Sequence, residues 1–398
     1  MADGIRVTHI LEATLGGTGR HLADVGCGLA AAGFAVEAVI SLRRAEDFAP
    51  KAQRLAEAGV TLTEVPMARA IAPADDARAL WRLYRHLRRS QPDLVHAHSS
   101  KAGILGRVAA RWARVPVVVY SPHAFAFQMR SGYAPRTLYL RLERLAGRWT
   151  DCLVAVSHAE ADLAAAAGLL PKARIAVIEN GVDPAETVSR AEGAAVRQAL
   201  GIAPQAPVVL FAARLVEQKA PEVLVRAALR VLERHPDAVF LLAGEGPLRP
   251  LLEQEIARAN GEPNVRLLGY RPDAARLYAA ADLFALPSRW EGLPYALLEA
   301  MAAGLPVVAS DIPAIAEAAP CGETALLVPP DDPGALAEAL ECLIREPDDA
   351  RALGAAGRER VRRCYTLDRQ VARLGALYQR LCGFDVGAER PGASGWRR

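Results

Sequence analysis

The chain has 398 residues, of which 52% are hydrophobic and 23% charged, a composition typical of a globular protein rather than a disordered one. This length exceeds that of a single compact core and predicts two domains. The net charge of +3 is too small to indicate nucleic-acid binding, and the six cysteines lack the paired spacing of a zinc site or a disulfide framework.

The N-terminus enters a predicted strand directly, without the basic and apolar regions of a signal peptide. No apolar run approaches the roughly 20 residues that a membrane-spanning helix needs. Because the cysteines show no disulfide pattern, a reducing compartment fits best. We therefore expect a cytoplasmic protein.

Strands and helices alternate along the first half of the chain. Strands are predicted at 5–11, 34–41, 60–65, 94–97, 117–120, 152–156 and 175–178, and helices at 21–32, 75–89, 101–113, 136–148 and 159–167. Such alternation predicts a parallel sheet with right-handed crossovers.

A second series of the same kind follows. Its strands are predicted at 208–212, 239–243, 265–268, 282–286, 307–309 and 325–328, and its helices at 221–233, 248–259, 274–280, 295–303, 335–344 and 349–364. The two series predict an α/β protein with two Rossmann-like domains, residues 1–182 and 207–365.

Three further segments complete the predicted organisation. Residues 183–206 are rich in Ala, Glu, Pro and Gly and are predicted to be a linker. The last helix, 366–382, is predicted to pack back on the first domain. The tail, 383–398, has little to bury and is predicted to be disordered.

In the first half, Gly16, Gly17 and Gly19 follow the first predicted strand, where a dinucleotide fingerprint would lie. The spacing is not G-x-G-x-x-G, and no acidic residue closes the second strand, so a nicotinamide dehydrogenase is disfavoured. We predict a loop that lets substrates approach the backbone, followed by a helix from about residue 21.

A basic helix is predicted at 75–89. Its arginines alternate with apolar residues, which gives an amphipathic helix with a cationic face. A solvated surface helix is the simpler interpretation. The alternative is contact with an anionic membrane, which gains about 1 kcal/mol per basic residue near its surface.

His96 and His98 lie at a predicted strand end, before Ser99 and Lys101. A metal site is disfavoured because no carboxylate or cysteine lies at useful spacing. Ser99 or Ser100 is predicted to cap the next helix, and Lys101 could meet an acceptor phosphate.

Two residues near later strand ends could also contact ligands. His123 follows the strand at 117–120 and could bond a transferred sugar or an acceptor, although a lone histidine is more often structural. Asn180 begins a predicted turn and hinge at the end of the first half.

Arg214 and Lys219 follow the first strand of the second series. Both cations could neutralise a departing diphosphate, and two surface cations are the alternative. Gly244 and Gly246 follow the next strand, where glycines permit close backbone approach. Tyr270 and Arg271 follow the third, as candidate contacts for a base.

The most informative segment is residues 288–294, Ser-Arg-Trp-Glu-Gly-Leu-Pro, between a predicted strand and a helix with Pro294 in its first turn. Glu291 and Glu299, eight positions apart, can face one crevice at the carboxyl end of the strand, where doubly wound sheets bind ligands. Considered in isolation, each glutamate could instead be a solvated surface residue.

The exposed N–H groups of Gly292, Leu293 and Tyr295 at this helix start suit a phosphate. A carboxylate can accept hydrogen bonds from sugar hydroxyls, and the N–H groups can donate hydrogen bonds to a diphosphate. Together they predict a nucleotide-sugar ligand.

Together these positions resemble the family 4 retaining glycosyltransferases of the GT-B fold, in which two Rossmann-like domains face a central cleft. The match rests mainly on Glu291 and Glu299 within residues 287–308 and on the pair Arg214 and Lys219. One departure is Ala220, where the family usually has glycine. The segments around His98 and His123 are similar to family members that build bacterial surface polysaccharides.

The resemblance implies that the first domain binds the acceptor and the second the nucleotide sugar, with no metal or other cofactor, because fixed protein charges stabilise the diphosphate. It implies front-face displacement with retained anomeric configuration. The implied roles are catalytic for Arg214, Lys219, Glu291 and His123; donor-binding for Glu299, Gly292, Leu293, Gly244, Gly246, Tyr270, Arg271, Gly17 and Asn180; and acceptor-binding for Gly16, His98 and Lys101.

A UDP-sugar is the favoured donor, with GDP-mannose second. The favoured acceptor is a glycan or polyprenyl-diphosphate-linked glycan at the cytoplasmic face of the inner membrane, and no nucleic-acid partner is expected. Two alternatives stay open on sequence grounds: a nucleotide-sugar epimerase or hydrolase of the same fold, and a non-catalytic nucleotide-sugar binder.

Overall fold

The computed structural model describes residues 4–43, 48–129, 133–186, 189–261 and 263–383. The predicted tail from residue 384 lies outside this description. The described residues divide into two compact units, the first within the ranges 4–155, 161–178 and 368–383 and the second within 156–160 and 179–367.

The first unit is built on a seven-stranded parallel sheet with the order β3-β2-β1-β4-β5-β6-β7. Every residue of β4 and β5 is buried, which explains why their sequences lack a polar alternation. The strands are β1 Arg6–Leu11, β2 Ala35–Ile40, β3 Thr61–Glu64, β4 Leu94–His98, β5 Val117–Ser121, β6 Cys152–Ala155 and β7 Ile175–Val177.

The second unit has a six-stranded parallel sheet with the order β10-β9-β8-β11-β12-β13. Its strands are β8 Val208–Ala212, β9 Val239–Ala243, β10 Val265–Gly269, β11 Leu283–Leu286, β12 Val307–Ser310 and β13 Leu326–Val328. Two parallel sheets with intervening helices confirm the predicted α/β class.

Fifteen α-helices are described along the chain. They are α1 Gly16–Ala31, α2 Ala49–Glu57, α3 Pro73–Ser90, α4 Ser100–Ala113, α5 Tyr133–Gly147, α6 His158–Ala166, α7 Arg190–Ala199, α8 Pro221–Leu232, α9 Arg249–Arg258, α10 Ala274–Ala280, α11 Tyr295–Ala303, α12 Pro313–Ala318, α13 Pro333–Arg345, α14 Pro347–Cys364 and α15 Leu367–Leu381. Within the described part of the chain, none of them combines the length and apolar character that crossing a bilayer requires.

The final helix α15 packs in the first unit. Leu374, Leu377 and Tyr378 are buried in the core around β1 and α1. A methyl group added to Gly28 of α1 would lie 2.5 Å from the side chain of Val371, so glycine permits this helix pair to approach closely.

The segment predicted as a linker, residues 183–206, instead belongs to the second unit and carries helix α7. Ser189 and Glu192 form a capping box at its start. Gly193 lies so close to α10 that an added Cβ would be 2.1 Å from the carbonyl oxygen of Ala279. The small residues of this segment predict a linker, but in the structure they allow α7 and α10 to pack closely.

Each sheet has one point at which the strand order reverses. In the first unit the point lies between β1 and β4, and in the second between β8 and β11. Loops that leave the carboxyl ends of such strands diverge and leave space for a ligand. The residues that follow these four strands therefore define the two candidate sites.

Candidate functional site

The reversal point of the second unit brings together the loops after β8 and β11. A short 3-10 helix, Glu217–Lys219, follows β8, and residues 287–294 follow β11. The backbone N–H of Arg289 donates to the carbonyl oxygen of Gln218 at 2.8 Å, which joins the two loops directly.

The Lys219 ammonium contacts Oε1 of Glu291, and the two side chains are only 14% and 5% exposed. Ser288 Oγ donates to the same oxygen at 2.7 Å, and Gln218 Nε2 approaches Oε2 at 3.4 Å. Opposite charge and hydrogen bonds together compensate the burial of the carboxylate. The structure thus brings the predicted Lys219 and Glu291 together in one ion pair.

A second network of ion pairs holds the loops after β8 and β11 together. The Arg289 guanidinium contacts Glu222 at 2.5 Å and Asp331 at 2.6 Å. Gln218 Nε2 also donates to the carbonyl oxygen of Trp290 at 3.0 Å. Sequence reasoning did not single out Gln218 or Arg289, because their partners lie about 70 residues away in the chain.

The helix after the site, α11, begins at Tyr295 as predicted, but Pro294 does not lie in its first turn. Pro294 is the N-cap residue, with ψ 125°. Gly292, Leu293 and Tyr295 are buried residues, whereas we predicted exposed N–H groups there. A phosphate at this helix start therefore remains a prediction.

Glu299, on α11, accepts a hydrogen bond from the Tyr278 hydroxyl at 2.6 Å. The two predicted glutamates thus differ in their surroundings: a cation faces Glu291 and a neutral phenol faces Glu299. A carboxylate offers about four acceptor sites, more than the one that the Tyr278 hydroxyl occupies.

Gly244 and Gly246 pack against the loop that carries Arg214. A Cβ at Gly244 would lie 1.9 Å from the carbonyl oxygen of Ala213, and a Cβ at Gly246 would lie 2.2 Å from that of Leu215. The close approach that these glycines permit is therefore to the protein's own backbone. Their replacement would displace the Arg214 loop.

Ala220 stands where the family usually has glycine, and the sequence left its backbone geometry open. Its φ of 47° and ψ of 48° are left-handed. Such a conformation costs an alanine roughly 1–2 kcal/mol. The chain keeps the turn that positions Lys219 despite the missing glycine.

Tyr270 and Arg271, the predicted base contacts, follow β10. The Tyr270 side chain is 50% exposed. The Arg271 guanidinium forks onto Asp273 with contacts of 2.7 and 2.6 Å, and these hydrogen bonds lower the pKa of the Asp273 carboxyl. Arg271 is thus committed to a carboxylate of its own loop.

Asn180 donates from Nδ2 to the carbonyl oxygen of Leu293 at 2.8 Å. Both residues belong to the second unit. Asn180 therefore supports the backbone of residues 292–294 from a distant part of the chain. The same segment was predicted as a hinge, and this contact fixes its first residue to the Leu293 loop.

In the first unit, α1 begins at Gly16, earlier than the predicted start near residue 21. Gly16 has a φ of +60°, and Gly17 follows in the first turn. Gly19 makes the close approach, since a Cβ there would lie 1.9 Å from the carbonyl oxygen of Thr14. Residues 12–15 connect β1 to α1, and the glycines lie in the first turn of the helix instead of in an open loop.

His98 and His123 lie in one hydrogen-bonded line with His9. His98 Nε2 is 2.9 Å from His9 Nδ1, and His98 Nδ1 is 3.1 Å from His123 Nε2. His123 is therefore not the lone histidine that the sequence indicated. Burial lowers the pKa of His98 and of His123 well below the ordinary value, so both rings are uncharged near neutral pH.

The tertiary structure places other imidazoles beside His96 and His98, which the sequence did not indicate. His9 lies with His96 and His98, and His21 and His123 lie with His98. His9 and His21 were missed because β1 and α1 are distant from β4 in the sequence.

Two predictions around α4 are also corrected. Ser99 is the N-cap residue of α4, but its side chain makes no capping hydrogen bond, and Ser100 is already helical. Lys101 Nζ lies 2.7 Å from both carboxylate oxygens of Asp76. The cation predicted to meet an acceptor phosphate therefore has a protein carboxylate as its partner.

The basic face of α3 is exposed at Arg78, Arg82, Arg85, Arg88 and Arg89. Its apolar face packs inward through Ala79, Leu83 and Leu87. Trp81 of α3 and Trp112 of α4 are each 55% exposed, and Tyr84 contacts both, with ring centroids 5.4 and 6.5 Å away. Large aromatic side chains thus lie beside the arginines.

Two family models match the chain. One described as Glycosyl transferases group 1 matches residues 206–346, and one described as Glycosyltransferase Family 4 matches residues 15–186. The first model covers every strand of the second sheet, and the second model covers the strands of the first sheet from β2 to β7.

Curated relatives agree with these models. The UDP-Gal:alpha-D-GlcNAc-diphosphoundecaprenol alpha-1,3-galactosyltransferase of Escherichia coli is 36% identical over 250 residues, 62% of this chain and 65% of that protein. The match thus spans just under two thirds of that relative's length. The alpha-maltose-1-phosphate synthase of Mycolicibacterium smegmatis is 33% identical over 291 residues, 67% of this chain and 73% of that protein.

The same architecture occurs among solved structures. The crystal structure of Anabaena Alr3699/HepE in complex with UDP and glucose superposes with a TM-score of 0.81 at 22% identity, covering 94% of this chain and 99% of that chain. The chain belongs to glycosyltransferase family 4, and its two parallel-sheet α/β domains are those of the GT-B fold.

Proposed function

We propose that the protein is a retaining glycosyltransferase that moves a sugar from a UDP-sugar to a lipid-diphosphate-linked glycan. The observation that carries the proposal is the Lys219–Glu291 ion pair at the reversal point of the second sheet, held by Ser288 and Gln218. A cation and a carboxylate fixed side by side match a ligand with an anionic end and a hydroxylated end.

Lys219 and Arg214 stabilise the diphosphate as it leaves the sugar. Fixed charges in a water-poor site act most strongly where charge develops in the transition state. Since Lys219 contacts Glu291 in the free protein, donor binding must redirect part of that ammonium toward a phosphate oxygen. The leaving phosphate oxygen then takes the proton of the acceptor hydroxyl, and no metal ion is needed.

The carboxylates bind the hydroxyl groups of the donor. Glu291 accepts hydrogen bonds from the sugar hydroxyls. Glu299 accepts hydrogen bonds from the ribose hydroxyls and, at the same time, from the Tyr278 hydroxyl. Each carboxylate thus accepts from a different set of donor hydroxyls. This assignment keeps the roles that the family resemblance implies.

The donor and acceptor classes are supported by the Escherichia coli relative, whose name specifies UDP-Gal and a diphosphoundecaprenol-linked sugar. A role in cell-surface polysaccharide synthesis follows from that acceptor class. The reaction is best tested with UDP-Gal, UDP-Glc, UDP-GlcNAc and GDP-mannose against a synthetic GlcNAc-diphosphate lipid, with EDTA present.

Transfer from a UDP-sugar with an α-linked product, identified by the anomeric proton coupling in NMR, is the expected outcome. Release of free sugar or an epimerised nucleotide sugar, independent of the acceptor, would replace the proposal with the epimerase or hydrolase alternative. UDP binding without turnover of any donor and acceptor would favour a non-catalytic binder.

We also propose that the aromatic and basic face of α3 and α4 rests on an anionic bilayer at the cytoplasmic side. Exposed Trp81 and Trp112 lie beside exposed arginines, a combination suited to a headgroup region. Co-sedimentation with vesicles containing phosphatidylglycerol should fall for Trp81→Ser with Trp112→Ser. Equal binding of this variant and the wild type would remove the proposal.

A further inference from the structure

Five histidines, out of eight in the chain, form one cluster at the reversal point of the first sheet. The histidine cluster consists of His9 on β1, His21 on α1, His96 and His98 on β4, and His123 after β5. The proposed transfer reaction uses His123 and His98 at most. The cluster therefore contains more imidazoles than that reaction explains.

Imidazole nitrogens are common ligands of transition metals. A neutral imidazole has one N–H donor and one lone pair, and the lone pair binds the metal.

The nitrogen atoms of the cluster converge in two groups of three that share His98. In each group the candidate ligand atoms lie within 4.8 Å of one another. A tetrahedral zinc ion with bonds of about 2.0–2.1 Å separates its nitrogen ligands by roughly 3.3 Å. The 3.1 Å between His98 Nδ1 and His123 Nε2 is close to that separation.

The group of His21, His98 and His123 is better suited to a metal than the group of His9, His96 and His98. Both ring nitrogens of His96 have hydroxyl partners, Tyr378 at 2.5 Å and Ser121 at 2.9 Å. His123 is only partly buried, whereas His9, His96 and His98 are at most 1% exposed. Solvent can therefore reach the first group and supply a water ligand.

We propose that His21, His98 and His123 form a site for a divalent transition metal, with water as the fourth ligand. Zn²⁺ and Co²⁺ are the appropriate probes, since imidazole ligands suit both. This site belongs to the first unit and is separate from the residues assigned to the diphosphate. The proposal does not depend on the transfer reaction.

Neighbouring side chains are placed to orient the ligands, as they are around metals in general. With the metal on His98 Nδ1, the proton of that ring lies on Nε2 and is donated to His9 Nδ1, 2.9 Å away. His9 Nε2 is buried without a hydrogen-bond partner in the described structure, so His9 loses no other bond. The Gln370 amide lies 3.3 Å from His21 Nδ1, which directs Nε2 of that ring to the metal.

The test uses full-length protein without a histidine tag, stripped with EDTA and then dialysed. We expect one Zn²⁺ per chain by mass spectrometry of the eluted metal, and intense visible bands of tetrahedral Co²⁺. His98→Gln and His21→Gln should raise the dissociation constant at least about 100-fold, since loss of an outer-shell partner alone costs 10–100-fold.

His158→Gln is the matched control, because His158 is exposed and outside the cluster, and its affinity should equal that of the wild type. Substoichiometric binding, an octahedral Co²⁺ spectrum or unchanged affinity in His98→Gln would overturn the proposal. Loss of binding in His96→Gln but not in His21→Gln would also overturn it, since the metal would then lie in the other group. If a variant does not fold, the wild-type Co²⁺ spectrum alone decides.

Discussion

The reversal points of the two sheets have the same topology and opposite chemistry. In the second unit, the loops carry ion pairs: Lys219 with Glu291, and Arg289 with Glu222 and Asp331. In the first unit, uncharged imidazoles occupy the corresponding place. The fold thus provides two equivalent positions, and the residues after the strands decide what each can bind.

The difference in charge between the two reversal points indicates which kind of ligand each can bind. A cation that is held in place by protein partners can stabilise the charge of an anionic diphosphate. A neutral imidazole nitrogen can instead accept a hydrogen bond from a hydroxyl group or bind a metal ion. The first unit also contains a buried ion pair, between Arg107 of α4 and Glu143 of α5.

The largest effect is expected from a substitution that breaks the buried ion pair of the first unit. Arg107 and Glu143 are 1% and 2% exposed, with Nη2 and Oε2 2.6 Å apart, and Tyr120 donates to the same carboxylate at 2.8 Å. Arg107→Met leaves Glu143 buried without its cation and should reduce the free energy of unfolding by about 3–5 kcal/mol. Urea unfolding measures this loss.

Arg111→Met is the matched control, one turn further along α4 on an exposed position. It should change the free energy of unfolding by less than about 0.5 kcal/mol. A similar small change for Arg107→Met would show that the buried pair does not stabilise the first unit.

The next effect is catalytic and belongs to the second unit. Lys219→Ala removes the ammonium assigned to the leaving diphosphate and should lower kcat by about 10²–10³-fold, as loss of one preformed charge-stabilising donor does elsewhere. Because Glu291 then loses its cation in a weakly exposed position, the melting temperature should fall as well. Steady-state transfer from the active UDP-sugar is the measurement.

Lys172→Ala serves as the control, because Lys172 is 78% exposed in its surface pair with Asp162. Its kcat should equal that of the wild type. Near-normal turnover in Lys219→Ala would refute the diphosphate role and leave the Glu291 contact as a purely structural ion pair.

A smaller effect distinguishes the two glutamates of the second unit. Glu299→Ala should weaken UDP binding about tenfold, which corresponds to roughly 1.4 kcal/mol, because a hydrogen-bonded carboxylate is lost from the ribose. Calorimetric titration with UDP measures the change. Glu253→Ala, in an exposed pair with Arg249, should leave the affinity unchanged, and equal affinities for all three proteins would exclude the ribose assignment.

Much of the second site could be predicted from the sequence because its residues follow consecutive strands in one repeating pattern. Strand periodicity placed Arg214, Lys219, Glu291 and Glu299 at one sheet edge, and the structure joins Lys219 to Glu291. The sequence did not predict Ser288 or Gln218 as partners of Glu291, because a hydrogen bond between loops has no local sequence pattern.

The first site was less predictable for a topological reason. Hydrophobic patterning identified β1, β4 and β5, but their order in the sheet brings His9 beside His98, 89 positions later in the chain. Single histidines carry no signal of such a neighbour. Helix α7 was missed for a related reason, since Gly193 and its alanines look like a linker until α10 is packed against them.

The smallest expected effect concerns acid stability and sharpens the contrast in the first unit. Glu37 on β2 is partly buried, which alone would raise its pKa, but hydrogen bonds from His86, Thr63 and Thr8 lower the pKa below its ordinary value of 4.5. A carboxyl whose pKa is lower in the folded state stabilises the protein above its unfolded-state pKa. This stabilisation is lost as the pH falls from about 4.5 through the folded-state value.

Glu37→Gln should therefore lose about 1 kcal/mol of unfolding free energy at pH 7 and lose less than the wild type on acidification below pH 4.5. Urea unfolding at pH 7 and at several values below 4.5 measures both quantities. Glu57→Gln, an exposed carboxyl whose only described side-chain partner is Gln53, should follow the wild-type acid profile. Parallel acid profiles for Glu37→Gln and wild type would show that the hydrogen-bond partners of Glu37 do not stabilise its charge in the folded state.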